Sequence, residues 1–137
     1  MSDHTIWRAT VRDYEVDYQG IVNNANYFHY FEQARSVYLN GLGISAIGCS
    51  KQQINLVLLK AEILFHQSLV SGDSFYVVST FFRSSRFKFV FKQELFRDSD
   101  QQRCTSALNL VAGIDANKKP CLLKELEALP IHHGSCD

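Results

Sequence analysis

The sequence predicts an α+β fold in which a curved antiparallel sheet of about five strands wraps around one long central helix. Three observations support this class. Alternating side-chain patterns indicate strands near the start of the chain and after residue 53, a helical period fills residues 24–41, and short polar turns separate the later strands. With 137 residues, the chain is long enough for one domain with its own core, and we expect residues 1–137 to form that domain.

The first predicted element is a strand over residues 5–14. Its side chains alternate between two faces, with Trp7, Ala9 and Val11 together on one of them. We expect this strand to run out near Asp17, a few residues before the helix begins.

The helix is predicted over residues 24–41, roughly five turns. Asn23 or Asn24 can cap its first turn, and Gly41 or Gly43 can end it. Large or apolar residues recur at a spacing of three or four; they are Tyr27, Tyr30, Phe31, Ala34, Val37 and Tyr38. An ordinary surface helix has a narrower apolar stripe, so we expect other structure to cover this one.

Four further strands are predicted after a short helical turn or loop over residues 43–52. The turns between them are short, which indicates antiparallel hairpins in series, a meander. In the third of these strands Phe87, Phe89 and Phe91 alternate with mostly polar residues, which is typical of a half-buried strand. Residues 130–137 are predicted to be a frayed tail. Because such a sheet leaves open edges, we expect a homodimer.

Composition excludes several classes of function. Hydrophobic residues make up 46% of the chain and charged residues 20%, as in most globular proteins, and the formal net charge is zero. A neutral chain lacks the basic surface that favours nucleic acid, so no nucleic-acid partner is expected. Neither a membrane span nor a secretory leader is present in the pattern, which makes the cytoplasm the expected location. The four cysteines are widely separated, so we expect free thiols and no metal site.

A motif joins the predicted first strand to the helix. Residues 17–27 are "DYQGIVNNANY", which fits the pattern D-x-x-G-[IV]-V-x-x-x-N-Y, and "FHYFEQAR" follows. This motif resembles that of the hot-dog-fold acyl-CoA thioesterases, in particular the 4-hydroxybenzoyl-CoA thioesterase-like family. The later stretch "AEILFHQSLVSGDSFYVVS" also resembles that family's second long strand, turn and third strand, so the resemblance covers roughly residues 5–115.

The resemblance implies an enzyme that hydrolyses the thioester between an acyl group and coenzyme A or an acyl carrier, without a cofactor. It implies dimers joined edge to edge, often paired into tetramers. It places the catalytic carboxylate on Asp17 and the oxyanion contact on the backbone N–H near Asn24. Many members of that family carry His or Tyr at the position of Asn24.

The chemistry of thioester hydrolysis fits these residue types. A carboxylate can attack the carbonyl carbon directly or act as general base on water, and the sequence leaves both routes open for Asp17. The N–H groups at a helix start can hold the negative charge that forms on the carbonyl oxygen, and Gly20 lets a ligand approach the backbone closely. Two alternatives remain: Asp17 can belong with Asp13 and Glu15 to a solvated strand face, and Asn24 can be only an N-cap.

Further residues are assigned to substrate binding by the resemblance; they are Gly20, Ile21, Val22, Tyr27, Arg83, Ser84, Ser85 and Arg86. The resemblance places Arg83, Arg86 and Lys88 near the phosphates of coenzyme A, where arginine matches the phosphate geometry and lysine adds a charge. It places either serine near the pantetheine arm. The alternatives are a solvated turn for residues 83–88 and simple packing for Tyr27. In some hot-dog thioesterases the acidic catalyst lies on the central helix, which makes Glu32 a second candidate. The rival functions are a noncatalytic acyl-thioester binding module and a thioesterase acting on acyl carrier protein.

Overall fold

The computed structural model describes residues 4–132. It contains one five-stranded sheet and two helices, connected by loops with two short 3-10 turns, Asp13–Glu15 and Lys124–Leu126. The strands and helices are β1 (His4–Thr10), α1 (Asn24–Gly41), α2 (Ala46–Gln52), β2 (Ile54–Phe65), β3 (Ser74–Arg83), β4 (Lys88–Arg97) and β5 (Arg103–Asp115). All strand pairs are antiparallel, in the order β1-β3-β4-β5-β2. The predicted α+β class is confirmed.

The predicted meander is correct for β3, β4 and β5 and wrong for β2. β2 pairs with β5 along its whole length and lies at the sheet edge opposite β1, so it forms no hairpin with β3. The reason is the connecting segment 66–73. The N–H groups of His66 and Gln67 donate to the Cys104 carbonyl oxygen, and the Leu69 carbonyl oxygen accepts from Val22, so this segment passes the start of α1 before it reaches β3, beside β1.

The first strand is shorter than predicted. β1 ends at Thr10, because the Arg12 N–H donates to Glu15 Oε1 (2.8 Å) and turns the chain into the 3-10 turn that follows. Trp7 and Ala9 pack against the core and Val11 is buried, so the predicted apolar face exists.

Helix α1 has the predicted bounds. Asn23 is its N-cap, since its side chain accepts a hydrogen bond from the Ala25 N–H (2.9 Å), and Gly43 follows the helix end with a φ of +83° that suits glycine. Five of the six predicted apolar residues are buried; they are Tyr27, Tyr30, Phe31, Ala34 and Tyr38. Other structure therefore covers this face of the helix, as the pattern predicted.

The core beneath α1 consists of two apolar clusters with a polar group between them. One cluster includes Leu95 of β4 and the other includes Phe91, two positions on either side of Gln93 on the same face of the strand. Gln93 is fully buried; its Nε2 donates to the Phe31 carbonyl oxygen and to Ser79 Oγ, both at 3.0 Å. Burial of this amide is tolerated because its hydrogen bonds are made.

The oxygen of the same amide is also used. Gln93 Oε1 accepts from Asn109 Nδ2 (2.9 Å) and from Arg35 Nη1 (3.2 Å). Burial lowers the pKa of Arg35. We call Arg35, Ser79, Gln93 and Asn109 the Gln93 cluster. It links α1 to β3, β4 and β5 at one point.

The C-terminal segment lies against the end of β3. Arg83 Nη1 donates to the carbonyl oxygens of Leu129 (2.8 Å) and Glu127 (3.5 Å), and Ile131 forms a bridge with Arg83. The His132 N–H donates to the Arg83 carbonyl oxygen (2.6 Å). Of the predicted frayed tail, residues 131 and 132 therefore pair with β3, and residues 133–137 lie outside the described residues.

Gly113 is a position where the fold needs glycine. A Cβ atom there would lie 2.1 Å from the backbone oxygen of Cys121, because the chain after β5 folds back and the Cys121 N–H donates to the Gly113 carbonyl oxygen. We expect Gly113→Ala to lower the free energy of unfolding by about 2–3 kcal/mol, the range for overpacking a rigid site. Urea denaturation measures this change.

The matched control is Gly41→Ala at the end of α1. A Cβ atom at Gly41 meets no atom within 4 Å, and its backbone is not left-handed, so this variant is expected to be neutral or slightly stabilising. Equal unfolding midpoints for the two variants would contradict the close-approach explanation.

Candidate active site

The motif residues 16–22 form a narrow antiparallel hairpin in front of α1. Val16 pairs with Val22, and the Asp17 N–H donates to the Ile21 carbonyl oxygen (2.8 Å). The Gly20 N–H donates to the Asp17 carbonyl oxygen (2.9 Å), with Gly20 at a φ of +81°, so glycine is the residue that fits this turn. We call residues 16–22 the site hairpin. It places Asp17 at the same end of α1 as Asn24.

The Asp17 carboxylate has one oxygen bound and one available. Oδ1 accepts from the Gln19 N–H (2.8 Å), which fixes the orientation of the carboxylate. Within residues 4–132 the other oxygen has no hydrogen-bond partner, and the residue is half-buried. The strand face that would have grouped Asp17 with Asp13 and Glu15 does not form, because those two residues lie in a 3-10 turn.

The start of α1 presents a free backbone donor. Asn23 caps the helix, and its side-chain and backbone oxygens accept from the N–H groups of Ala25 (2.9 Å) and Asn26 (2.8 Å). The N–H of Asn24 has no hydrogen-bond partner among the described residues. The alternative that Asn24 is the N-cap is therefore wrong. Its N–H lies at the positive end of the helix dipole and is free to bind an anionic oxygen.

The connecting segment 66–73 packs against the site hairpin and bonds to it. The Val22 N–H donates to the Leu69 carbonyl oxygen (2.9 Å), and Ile21 forms a bridge with Val70. The Tyr27 hydroxyl accepts from the Leu69 N–H (3.2 Å). Val22 and Tyr27 are both buried, and burial raises the pKa of Tyr27. Their part in substrate binding stays a prediction.

Apolar side chains surround this end of the helix. The ring of Phe65 lies 5.6 Å from that of Tyr27, and Phe65, Phe28 and Val70 are each close to half exposed. Tyr18, next to Asp17 in the turn, is 96% exposed. An exposed apolar surface beside a free carboxylate suits a ligand with an apolar body and a reactive polar group.

The predicted phosphate-binding residues lie elsewhere in the chain. Arg83 borders Tyr38 and Leu42 at the C-terminal end of α1, opposite Asp17. Its guanidinium donates to backbone oxygens, including that of Arg86 (2.8 Å), as well as to the C-terminal segment. Within one chain, Arg83 and Asp17 therefore lie at opposite ends of α1. Most N–H groups of the Arg83 guanidinium already donate hydrogen bonds to backbone oxygens.

Arg86 instead faces a groove with two further cations. This groove has a volume of about 340 Å³, and the residues lining it include Arg86, Lys88 and Lys118 but no carboxylate within the described part of the chain. No ion pair engages these three side chains among residues 4–132. Leu59 and Ser85 also line it. We call it the basic groove.

One of its cations was not predicted. Lys88 was expected near the phosphates together with Arg83 and Arg86, but Lys118 belongs to the loop after β5, where it adopts a φ of +63°. A pairing between residues thirty positions apart leaves no local pattern. The proximity of β4 and β5 in the folded sheet brings them together.

Other candidate groups have simpler roles. Glu32 is exposed on α1. Arg35 donates to Gln93 and forms no close ion pair with Glu32. His66 Nε2 lies 3.0 Å from Ser106 Oγ, a structural hydrogen bond. Within residues 4–132, no three His, Cys, Asp or Glu side chains come close enough to hold a metal ion. No helix in the same range is long and apolar enough to cross a bilayer.

Comparison with known proteins connects this geometry to a family. The thioesterase-like superfamily matches residues 11–130. A putative esterase of Aquifex aeolicus is 34% identical over 119 residues, which cover 87% of this chain and 84% of that protein. A chloroplastic acyl-acyl carrier protein thioesterase of Arabidopsis thaliana is 29% identical over 120 residues, 88% of this chain but only 63% of that protein.

A solved thioesterase structure has the same fold. The DHNA-CoA thioesterase of Staphylococcus aureus superimposes with a TM-score of 0.80 at 26% identity, over 88% of this chain and 80% of that one. The chain belongs to the thioesterase-like superfamily and has its hot-dog fold, which confirms the predicted fold and enzyme class.

Proposed function

We propose that this protein hydrolyses acyl-CoA thioesters to the free acid and coenzyme A. The proposal rests on one observation: at one end of α1, a carboxylate oxygen of Asp17 and the N–H of Asn24 both lack hydrogen-bond partners in the described chain. A thioesterase needs these two groups, a base or nucleophile and an oxyanion donor. The apolar surface formed by Phe28, Phe65 and Val70 supplies contacts for an acyl group.

In the proposed reaction the thioester carbonyl oxygen accepts from the Asn24 N–H. Asp17 either removes a proton from the attacking water or attacks the carbonyl carbon itself, giving a mixed anhydride that water then hydrolyses. In both routes the carbon–sulfur bond breaks and the thiolate leaves with the pair of electrons. A single turnover in isotopically labelled water tests for direct attack followed by hydrolysis at the Asp17 carboxyl carbon, because this route places an unlabelled Asp17 oxygen in the first product, whereas general-base attack places the label there.

The test of the function is release of coenzyme A thiol from benzoyl, short-chain and long-chain acyl-CoAs. We expect turnover of at least one of them, and the panel then identifies the acyl class. The outcome that contradicts hydrolysis is binding of acyl-CoA without release of thiol, which would favour a noncatalytic binding module.

The proposal includes a dimer joined through β2. This edge strand exposes large apolar side chains; they are Leu58, Leu59, Leu64 and Phe65. Antiparallel pairing of two β2 edges would place the Leu59 end of one chain beside the Phe65 end of the other. The basic groove of one chain, which Leu59 lines, would then face the Asp17 end of its partner. Sedimentation of the purified protein tests this, and pairing of dimers into tetramers would appear there too.

The basic groove is the proposed site for the phosphates of coenzyme A. Arg86, Lys88 and Lys118 present cations without an ion-pair partner among the described residues, and Ser84 and Ser85 remain the proposed contacts of the pantetheine arm. We propose that Arg83 positions this turn through its bonds to Arg86 and the C-terminal segment.

The double variant Arg86→Gln with Lys88→Gln is expected to raise KM for acyl-CoA about tenfold or more and to leave kcat nearly unchanged, because charge-assisted hydrogen bonds to phosphate contribute about 1.5–3 kcal/mol each. Initial rates over a range of substrate concentrations measure both constants. Lys51→Gln, an exposed lysine on α2, removes charge elsewhere and serves as the control. An unchanged KM in the double variant would remove the groove from the site.

Acyl carrier protein is the second candidate carrier. The observation in its favour is the match to the plant acyl-acyl carrier protein thioesterase. Comparing kcat/KM for one acyl group on coenzyme A and on carrier protein decides between them. The expected cytoplasmic location stays a prediction.

A further inference from the structure

We infer that Asn26 is a positioning residue of the active site, holding the site hairpin, which carries Asp17, against the helix start that carries the free N–H of Asn24. This inference rests on the proposed function, since it concerns how that site is assembled. Asn26 belongs to the motif, but its position in the sequence does not indicate a role. Its hydrogen bond in the folded chain does.

A side-chain hydrogen bond of Asn26 connects the chain before the site hairpin to the helix after it. Its Nδ2 donates to the carbonyl oxygen of Glu15 (2.8 Å), eleven residues earlier in the chain. The N–H of Asn23 donates to the same oxygen (3.0 Å). Val16 and Val22 pair directly beyond this point. The base of the hairpin is thus closed by a side chain that belongs to the first turn of α1.

The position of Asn26 makes this bond specific to the site. It is the third residue of α1, so it moves with the helix start that carries the Asn24 N–H. Glu15 lies two residues before Asp17. The bond from Asn26 to Glu15 therefore fixes the two reacting groups relative to each other, and a misplacement of about 1 Å in an active site can cost as much as 10²-fold in rate.

Packing alone does not explain this choice of residue. Asn26 is half-buried. An aspartate of the same shape at the third helical position would stabilise the helix, because its negative charge interacts favourably with the helix dipole. Only the side-chain N–H group of asparagine can donate to the Glu15 carbonyl oxygen. The variant Asn26→Asp therefore removes the bond while keeping the shape and supporting the helix.

We expect Asn26→Asp to lower kcat by about tenfold or more with KM changed less than about twofold, because misplaced groups impair the chemical step rather than binding. In the Asp17→Asn background the same change is expected to have little further effect, since residues that act as a unit are not additive. Gln33→Glu, an exposed amide on α1, is the matched control and is expected to keep full activity. Full additivity of the two effects would overturn the inference.

Hydrogen exchange supplies a readout that does not depend on activity. The N–H groups of Asp17 and Gly20 are bonded within the hairpin, and their exchange is expected to accelerate in Asn26→Asp while amides of β5 keep their protection. Unchanged exchange of these two amides would overturn the inference even for a protein that hydrolyses nothing. Loss of protection together with absence of thioesterase activity in the wild type would uphold the role of Asn26 and reject the proposed function.

Discussion

Asp17→Asn is expected to lower kcat for acyl-CoA hydrolysis by at least about 10²-fold, the lower end of what a positioned acid–base group contributes. An asparagine oxygen can still accept from the Gln19 N–H, so the turn should keep its conformation. The uncharged amide can neither accept the proton of water nor attack the carbonyl carbon efficiently. The measurement is thiol release by wild type and variant side by side, at saturating substrate.

The control for this change is Asp13→Asn. Asp13 also lies near the site, where it accepts from the Ser71 hydroxyl, but it is exposed and four residues before Asp17. We expect this variant to keep nearly full activity. Wild-type turnover in Asp17→Asn would exclude Asp17 from the mechanism and would direct attention to Glu32.

Gln93→Leu is expected to lower the free energy of unfolding by about 3–5 kcal/mol, because each polar group left without its partner in the core costs about 1–3 kcal/mol and several remain. Leucine fills a similar volume, so the loss comes from the polar groups that remain. The guanidinium of Arg35 and the Nδ2 of Asn109 both lose Gln93 Oε1 as their hydrogen-bond acceptor. Urea or thermal unfolding measures the effect.

A triple variant tests whether unpaired polarity is the cause. Adding Arg35→Met and Asn109→Leu to Gln93→Leu removes the two donors to Gln93 Oε1, while Ser79 Oγ and the Phe31 carbonyl oxygen still lack the Gln93 amide. Part of the lost stability is therefore expected to return. Gln33→Leu, at an exposed position, is expected to change stability by less than about 0.5 kcal/mol. A triple variant that is still less stable than the single one would show that the Gln93 cluster is not the source of the effect.

The sequence predicted the helix and the hairpin strands because each has a local signal. The three-to-four spacing from Tyr27 to Tyr38 and the caps at either end defined α1 to the residue. The turn "VSGD" predicted a chain reversal correctly, but not which strand β2 would join. Strand pairing depends on contacts that are distant in sequence, so a correct list of strands still allowed the wrong neighbour.

The site likewise contains residues that a local motif predicts and residues whose roles depend on contacts distant in sequence. Asp17, Gly20 and Asn24 stand within one motif, and the structure places them in one hairpin and helix start. The role of Arg83 could not be read from its sequence, because its hydrogen-bond partners come from residues 86, 127 and 129. Gln93 looked like one more polar residue in a strand, since nothing local distinguishes a buried amide with partners from an exposed one.

The position of β1 has a consequence for how the protein folds. Its partner is β3, and Thr10 pairs with Ser74, 64 residues away, whereas β3, β4 and β5 pair with their neighbours in sequence. Closing so long a loop costs entropy that the local hairpins do not. We therefore expect the β3–β4–β5 hairpins to form early and β1 to dock late. The segment that carries Asp17 follows β1 directly, so the catalytic geometry would be among the last features to appear.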